Sequence, residues 1–303
     1  MIDRLPYVRP SSLSALELCP GRALMEARAI ALVPVLADLE SAPARQGTLG
    51  HAMAAQFLAF IYHSPAGKRD PAECLARLDY AMHDLEPWTK DATRRCVAYV
   101  VAVMDREEAR GVHPVLQIEM HLSGKGIAIG RGGTADIVII AGDLVVVIDF
   151  KLGFLDQGHA ADHLQLGAYA CMAWDKYAPR TLEIHLAQGR LRDFTCATFN
   201  ERAIEATRLR CKRVVRDAVA DLPELKSAID ACRYCKSLVI CTTTRKRIMD
   251  ASHSLALFGA DPKDRVKLAE DMAIAKRFIE EGTKLQKAWQ AEAREQEAER
   301  VPA

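Results

Sequence analysis

The chain has 303 residues, half of them hydrophobic, which allows one large domain or two small ones around an ample core. Its formal net charge of +1 excludes a whole-protein basic field of the kind that coats nucleic acid, but not an enzyme with a local basic groove. No apolar run reaches the roughly eighteen residues of a membrane span, and the first residues lack the apolar core of a signal peptide. A cytoplasmic protein is therefore expected, in which nine cysteines, an odd number, point to thiols or a metal site rather than disulfides.

In chain order, Ser11 or Ser12 caps a first helix with Leu13, Leu16 and Leu18 as its apolar positions, and Cys19 ends that turn before Pro20-Gly21. Residues 31–45, with Pro34 and Pro43, read as a loop. Gly47 opens a second helix that runs to about Tyr62 and carries His51 in its first turn; a lone His is most often structural. Helices are expected over 71–85 and 89–110. Val97, Val100, Val101 and Met104 form the core face of the latter. His83, Trp88, Cys74 and Cys96 read as structural. Residues 115–122 form a strand with Glu119 at its centre.

The densest signal is 133–151. Two β-branched runs, 137–140 and 144–148, flank Ala-Gly-Asp, which predicts a hairpin. Both runs are apolar at nearly every position, so both faces of the sheet should be covered. Into this sheet the chain places Asp136, Asp149 and Lys151, the last two on one face of a strand. Buried charges are costly unless they pair or bind a metal. Two carboxylates beside a lysine suit a hard divalent cation and a phosphate; a plain Asp149–Lys151 ion pair is the alternative. After a loop over 153–161, a helix from 162 presents Gln165 and Tyr169 on one face. Strands over 181–187 and 191–199 surround the turn Gln188-Gly189-Arg190. A helix over 200–220 carries Arg202, Arg208, Arg210, Lys212, Arg213 and Arg216, a solvated face with some residues in reach of backbone phosphates. Cys232, Cys235 and Cys241 have the spacing to clamp one metal centre, either zinc or an iron–sulfur cluster, each of which wants a fourth ligand. Redox disulfide chemistry at Cys232 and Cys235 is a third alternative, without a thioredoxin-like context. Residues 242–262 read as a linker. Residues 264–299 read as one long charged helix with apolar Leu268, Met272, Ile274, Phe278, Ile279 and Leu285.

Gly133-Thr-Ala-Asp136 followed by Asp149-Phe-Lys151 resembles the PD-(D/E)xK nuclease superfamily, and more narrowly its RecB-like exonucleases, including the iron–sulfur nucleases of CRISPR adaptation and phage-borne relatives. The resemblance covers about residues 10–242. It implies an α/β fold of the restriction-endonuclease type: a mixed sheet flanked by helices, with a helical N-terminal insertion and a C-terminal helix. The nuclease domain would span 1–245, with 246–303 as linker and charged helix. The implied activity is a Mg²⁺- or Mn²⁺-dependent DNA exonuclease acting on single strands or free ends, in phage or prophage DNA processing. Asp136 and Asp149 would hold the metal with the Phe150 carbonyl, Glu119 and His51, the last from a Gly-x-x-x-His match at Gly47–His51. Lys151 would orient the water or neutralise charge, and Gln165 and Tyr169, a Gln-x-x-x-Tyr match, would contact the DNA and support the site. Cys19, Cys232, Cys235 and Cys241 would hold a 4Fe–4S cluster, with zinc as the alternative. Two other readings stand beside this one: a weakly catalytic nucleic-acid-binding or recombination-accessory protein of the same fold, and a zinc-stabilised interaction protein that docks a partner through its C-terminal helix.

Overall fold

The computed structural model describes residues 8–32, 42–63, 78–80, 82–130, 132–227, 229–232, 235–254 and 262–299. The chain forms two compact units, one built from 8–13 and 40–213 and the other from 1–7, 14–39 and 214–303. This division differs from the expected boundary at 245: the cysteine segment groups with the C-terminal helices, not with the sheet.

The first unit holds a five-stranded sheet in the order β1 (Val115–Leu122), β2 (Gly133–Ala141), β3 (Leu144–Phe150), β4 (Thr181–Gln188), β5 (Asp193–Phe199). All neighbours are antiparallel except β3 and β4, which are parallel and joined by a helical crossover, as parallel pairing requires. The architecture is therefore α/β with a mixed sheet, as the β-branched runs predict. The β2–β3 turn is Gly142–Asp143, with Gly142 at φ +59°, a conformation that favours glycine.

Side chains alternate across the sheet. Ile137, Ile139, Val146, Ile148, Phe150 and Ala187 face one side, where they pack against α3 (Ala42–His63) and α4 (Pro87–Glu108). On the other side the crossover helix, α5 (Leu164–Tyr177), lies against β3 and β4. Helices on both faces explain why β3 is buried at six of its seven positions, the pattern expected of a doubly covered strand. α4 begins at Pro87, whose missing N–H costs nothing in a first turn. Most of the helix expected over 71–85, including Cys74, lies outside the described residues.

Two expectations are corrected. α3 begins at Ala42, so 42–45 are not loop and His51 sits in the middle of the helix, not in its first turn. Gly47 and Gly50 lie inside this helix. At Gly50 a Cβ would meet Leu152 at 2.6 Å and Thr93 at 2.9 Å, so close helix–helix packing, not helix initiation, explains that residue. Residues 242–254 are not linker but a helix. In the second unit, α1 (Leu13–Leu18) and α2 (Arg22–Leu32) are followed by α6 (Glu201–Ala218), which enters this unit at Val214, then α7 (Ile229–Cys232), α8 (Thr242–Ser254) and α9 (Pro262–Glu299). α8 packs on α9, where Arg247 pairs with the buried Asp271 at 2.5 Å and donates to Ser227 O. Tertiary contact thus makes a helix of a segment whose threonines and charges show no apolar period. Ile274 and Leu285 are buried on α9, whereas Met272 and Ile279, expected on the same stripe, are exposed. Among the described residues no helix is long and apolar enough to cross a membrane.

Candidate active site

The turn fixes the register of β2 and β3, pairing Ala141 with Leu144 and Ile137 with Ile148. The next pair in that register would be Asp136 opposite Asp149, and there the strands part. On the other side of β2, Ile118 pairs with Ile137 and Met120 with Ala135, which leaves Glu119 opposite Asp136 in the same register. One row across three strands therefore holds Glu119, Asp136 and Asp149. Like charges directly opposite one another destabilise a sheet, and along this row both ladders are interrupted.

The interruptions have local causes. Phe150 N–H, freed where β3 leaves β2, donates to Asp136 Oδ2 at 2.7 Å. Glu119 has φ +50°, the left-handed region, in the middle of a strand. Such a conformation costs a non-glycine residue about 1–2 kcal/mol. It re-aims the Glu119 carboxylate, which is close enough to Asp136 and His51 to feel both charges.

The remaining groups converge on the same row. His51 Nδ1 lies 3.4 Å from Asp136 Oδ1, and its ring lies 5.9 Å from that of Phe150. Lys151 Nζ lies 2.6 Å from Asp149 Oδ2 and donates to Gln165 Oε1 at 2.9 Å. Gln165 Nε2 in turn donates to Asp149 Oδ1 at 2.9 Å. At that distance the Lys151 ammonium is both the ion-pair partner of Asp149 Oδ2 and its hydrogen-bond donor, so each oxygen of the buried carboxylate is engaged by one side chain, Oδ1 by Gln165 and Oδ2 by Lys151. Tyr169, four residues on from Gln165, is 4 % exposed and donates to Thr134 O at 2.6 Å. Its side chain holds the start of β2 and has little surface left to offer a DNA strand; Gln165 is likewise committed to Asp149 and Lys151. Both act as supports of the site.

Electrostatics separates the two aspartates. Burial pushes Asp136 up, but the hydrogen bond and charge of His51, the Phe150 amide and Lys151 outweigh it and hold the carboxyl below its usual range. Burial dominates at Asp149, against the pull of Lys151 and with the repulsion of Asp136, and raises it. Burial lowers His51, but its hydrogen bond to Asp136 and the charges of both aspartates raise it on balance. Glu119 is raised by desolvation and by Asp136. Sequence reading missed one neighbour. His163, just before α5, is 8 % exposed and pushed down to about 4 by burial and by Lys151, and its Nδ1 is buried without a partner. No motif marks it; only the fold brings it near Lys151.

Among the described residues no three His, Cys, Asp or Glu side chains converge in a geometry that holds a metal as they stand. The donor chemistry nevertheless fits a hard divalent cation. Three carboxylates share one row, and a single ammonium, that of Lys151 against Asp149, is the only lysine or arginine charge paired with them among the described residues.

The second unit gathers the cysteines by stitching residues 19–26 to 224–236. Gly21 N–H donates to Glu224 O, Arg22 to Ala231 O, and Lys236 N–H to Glu26 Oε1. Lys226 N–H donates to Cys19 Sγ at 3.4 Å. Burial raises Cys19, and Cys241 and Cys232 raise it further, so these three thiols sit within reach of one another's charge. Cys232 Sγ also lies 3.8 Å from Thr244 Oγ1. Cys235 stands apart: burial pushes it up to about 11, Ser237 Oγ lies at 3.0 Å, and the charges it feels most are Glu26 and Arg22. Four thiols, two of which repel Cys19 if ionised, fit a thiolate-bound metal in chemistry, though not in a closed four-sulfur arrangement as they stand. On α6, Arg208 is bound by Asp175 at 2.7 Å and donates to Gly126 O, whereas Arg202 and Lys212 are exposed.

No curated protein matches the chain. A family model described as "Protein of unknown function (DUF2800)" matches residues 19–299, nearly the whole chain, and the chain belongs to that family.

Proposed function

We propose that the sheet-bearing unit is a metal-dependent DNA nuclease. The observation that carries this reading is the row Glu119–Asp136–Asp149, placed where two strand ladders break and backed by Lys151. Asp136, Asp149 and Glu119 are the carboxylates that would hold Mg²⁺ or Mn²⁺, with the Phe150 carbonyl and His51 beside them. Such an ion, when bound, acidifies a water and stabilises charge on a scissile phosphate. The rest is done by the chain itself. Gln165 accepts from Lys151 and donates to Asp149, which fixes both side chains in one orientation. Lys151 holds a positive charge at the carboxylate row, available to a phosphate. His51 and the Phe150 amide keep Asp136 ionised. The resemblance to RecB-like nucleases agrees with this arrangement and points to DNA ends or single strands as substrate. In the other unit Cys19, Cys232 and Cys241, joined by Cys235 once its thiol turns from Ser237, would hold a thiolate metal centre, which the resemblance makes a 4Fe–4S cluster in preference to zinc, and α9 is available to a protein partner.

The test is digestion of end-labelled single- and double-stranded DNA with Mg²⁺ or Mn²⁺ after anaerobic purification. Wild-type protein is expected to shorten the label and Asp149→Ala to lose cleavage while remaining folded. Turnover by Asp149→Ala at the wild-type rate removes the carboxylate row from the mechanism.

A further inference from the structure

Three planar groups meet on the loop that follows Lys151, and neither the support network nor the metal ligands use them. Trp88 lies in the first turn of α4, Phe154 on the loop after β3, and Arg190 in the β4–β5 turn. The rings of Trp88 and Phe154 are 4.9 Å apart at 49°. The Arg190 guanidinium carbon lies 3.3 Å from the Phe154 ring centroid and 4.7 Å from that of Trp88. Phe154 is 52 % exposed although a guanidinium covers one of its faces.

We propose that Phe154, Trp88 and Arg190 form a stacking platform for an unpaired nucleobase at the DNA end. The proposal rests on the nuclease reading and names the substrate class of that site: single-stranded DNA, engaged through its bases. The plainer role, a pin that holds the loop, is already filled elsewhere. Lys151 N–H donates to Ala187 O, and Gln157 N–H donates to Gln188 Oε1, so the loop is tied on both sides of Phe154. Phe154 follows Lys151 by three residues, a reach of at most about 11 Å. Phe154 is thereby tethered close along the chain to Lys151, the residue paired with Asp149. The platform also carries a cation that no carboxylate claims. Arg190 Nη1 is buried without a hydrogen-bond partner, so its guanidinium is not committed to a carboxylate, and Gln188 holds Asp156 and Asp193 by hydrogen bonds of its own. An aromatic face backed by a cation takes any base, because every base has a π-face.

The experiment uses the full chain carrying Asp149→Ala, so that DNA is bound and not cut, and a labelled oligo(dT) of about 20 nucleotides, against a blunt duplex of equal length. Phe154→Ala is expected to weaken oligo(dT) binding by roughly 5- to 150-fold, the worth of one stacked base. Duplex affinity and the salt dependence should stay the same, since no phosphate contact is lost. In a Trp174→Phe, Trp289→Phe background, Trp88 fluorescence should be quenched by oligo(dT) and not by an abasic oligonucleotide of the same length. This second readout leaves the loop intact and decides the matter if Phe154→Ala fails to fold. Equal oligo(dT) affinity with and without the Phe154 ring, or equal quenching by abasic DNA, overturns the platform while leaving the nuclease intact. Absence of binding to any DNA, together with absence of cleavage by the wild type, overturns the nuclease reading itself and the platform with it.

Discussion

Glu119 offers the sharpest test of the carboxylate row, because its backbone and its side chain make separable predictions. An L-residue at φ +50° costs about 1–2 kcal/mol relative to one at an ordinary strand angle. Glycine does not incur this cost, but it loses about 0.5–1 kcal/mol more than alanine in unfolded-chain entropy. Both Glu119→Ala and Glu119→Gly remove the charge facing Asp136, so that change cancels between them. The difference left is backbone strain less entropy, and it favours glycine by about 0–1.5 kcal/mol, with a central value of about 0.75 kcal/mol. At an ordinary strand centre the order is reversed. The assay is urea unfolding of the two variants, compared at equal slope by their midpoints. Cleavage should fall to the same degree in both, since each lacks the carboxylate. A Glu119→Ala midpoint equal to or above that of Glu119→Gly refutes the strain argument. Equal stability order with undiminished cleavage would remove Glu119 from the metal site but keep the strain.

Three further outcomes are expected. Lys151→Ala should slow single-turnover cleavage on the order of 10²–10³-fold with DNA affinity nearly unchanged; weaker binding or lower stability at a normal rate per folded molecule would make Lys151 a phosphate anchor or simply the partner of Asp149. Glu183 is held down to about 2 by its hydrogen bond to His185 and, against burial, by Arg106. The shift from 4.5 is worth about 3 kcal/mol in full, reduced to about 1–2 kcal/mol because the side chain is 20 % exposed. This depressed carboxyl stabilises the fold above about pH 4.5 and loses its effect as pH falls toward 2, so the stability gap between wild type and Glu183→Gln should close over that window in acid titrations followed by circular dichroism. Finally, anaerobically purified protein should be brown, with broad absorption near ~400 nm; Cys232→Ala should lose the colour and Cys196→Ser, at an exposed position of β5, should keep it, whereas a colourless protein with stoichiometric zinc would replace the cluster by zinc.

Much of the sheet is legible because its residues are chosen for it. The β-branched runs on either side of Gly142–Asp143 define both strands, and a two-residue loop sets their register, so the approach of Asp136 to Asp149 follows from the turn alone. The place of Glu119 does not follow. The connection from β1 to β2 is too long to fix a register, and nothing about a glutamate announces a left-handed backbone. The start of α3 and the existence of α8 were hidden for another reason: their helicity comes from packing, at Gly50 against α4 and at Arg247 against α9, and packing partners far away in sequence leave no local period. Cysteine spacing shows that thiols gather near 232–241 and leaves open which ones face inward. Only the fold separates Cys235 from Cys19, Cys232 and Cys241.

Charge balance separates the catalytic reading from the plain ion pair. Three carboxylates on one row face a single ammonium, which leaves a surplus of two negative charges when His51 is neutral. An Asp149–Lys151 pair satisfies one carboxylate and explains neither the strained Glu119 nor the break of both ladders. At Asp149, the buried member of the row, a fold selected for stability alone would place an apolar residue, since replacing buried ions by well-packed apolar groups is often neutral or stabilising. The divergence of Asp136, held ionised, from Asp149, raised by burial, is the separation that lets neighbouring carboxylates take different roles. A divalent cation would balance the surplus and favour the ionised form of Asp149, which burial otherwise disfavours. The strain at Glu119 and the cost of burying Asp149 are then two parts of one requirement: a row of oxygens kept available for a cation that the protein itself does not supply.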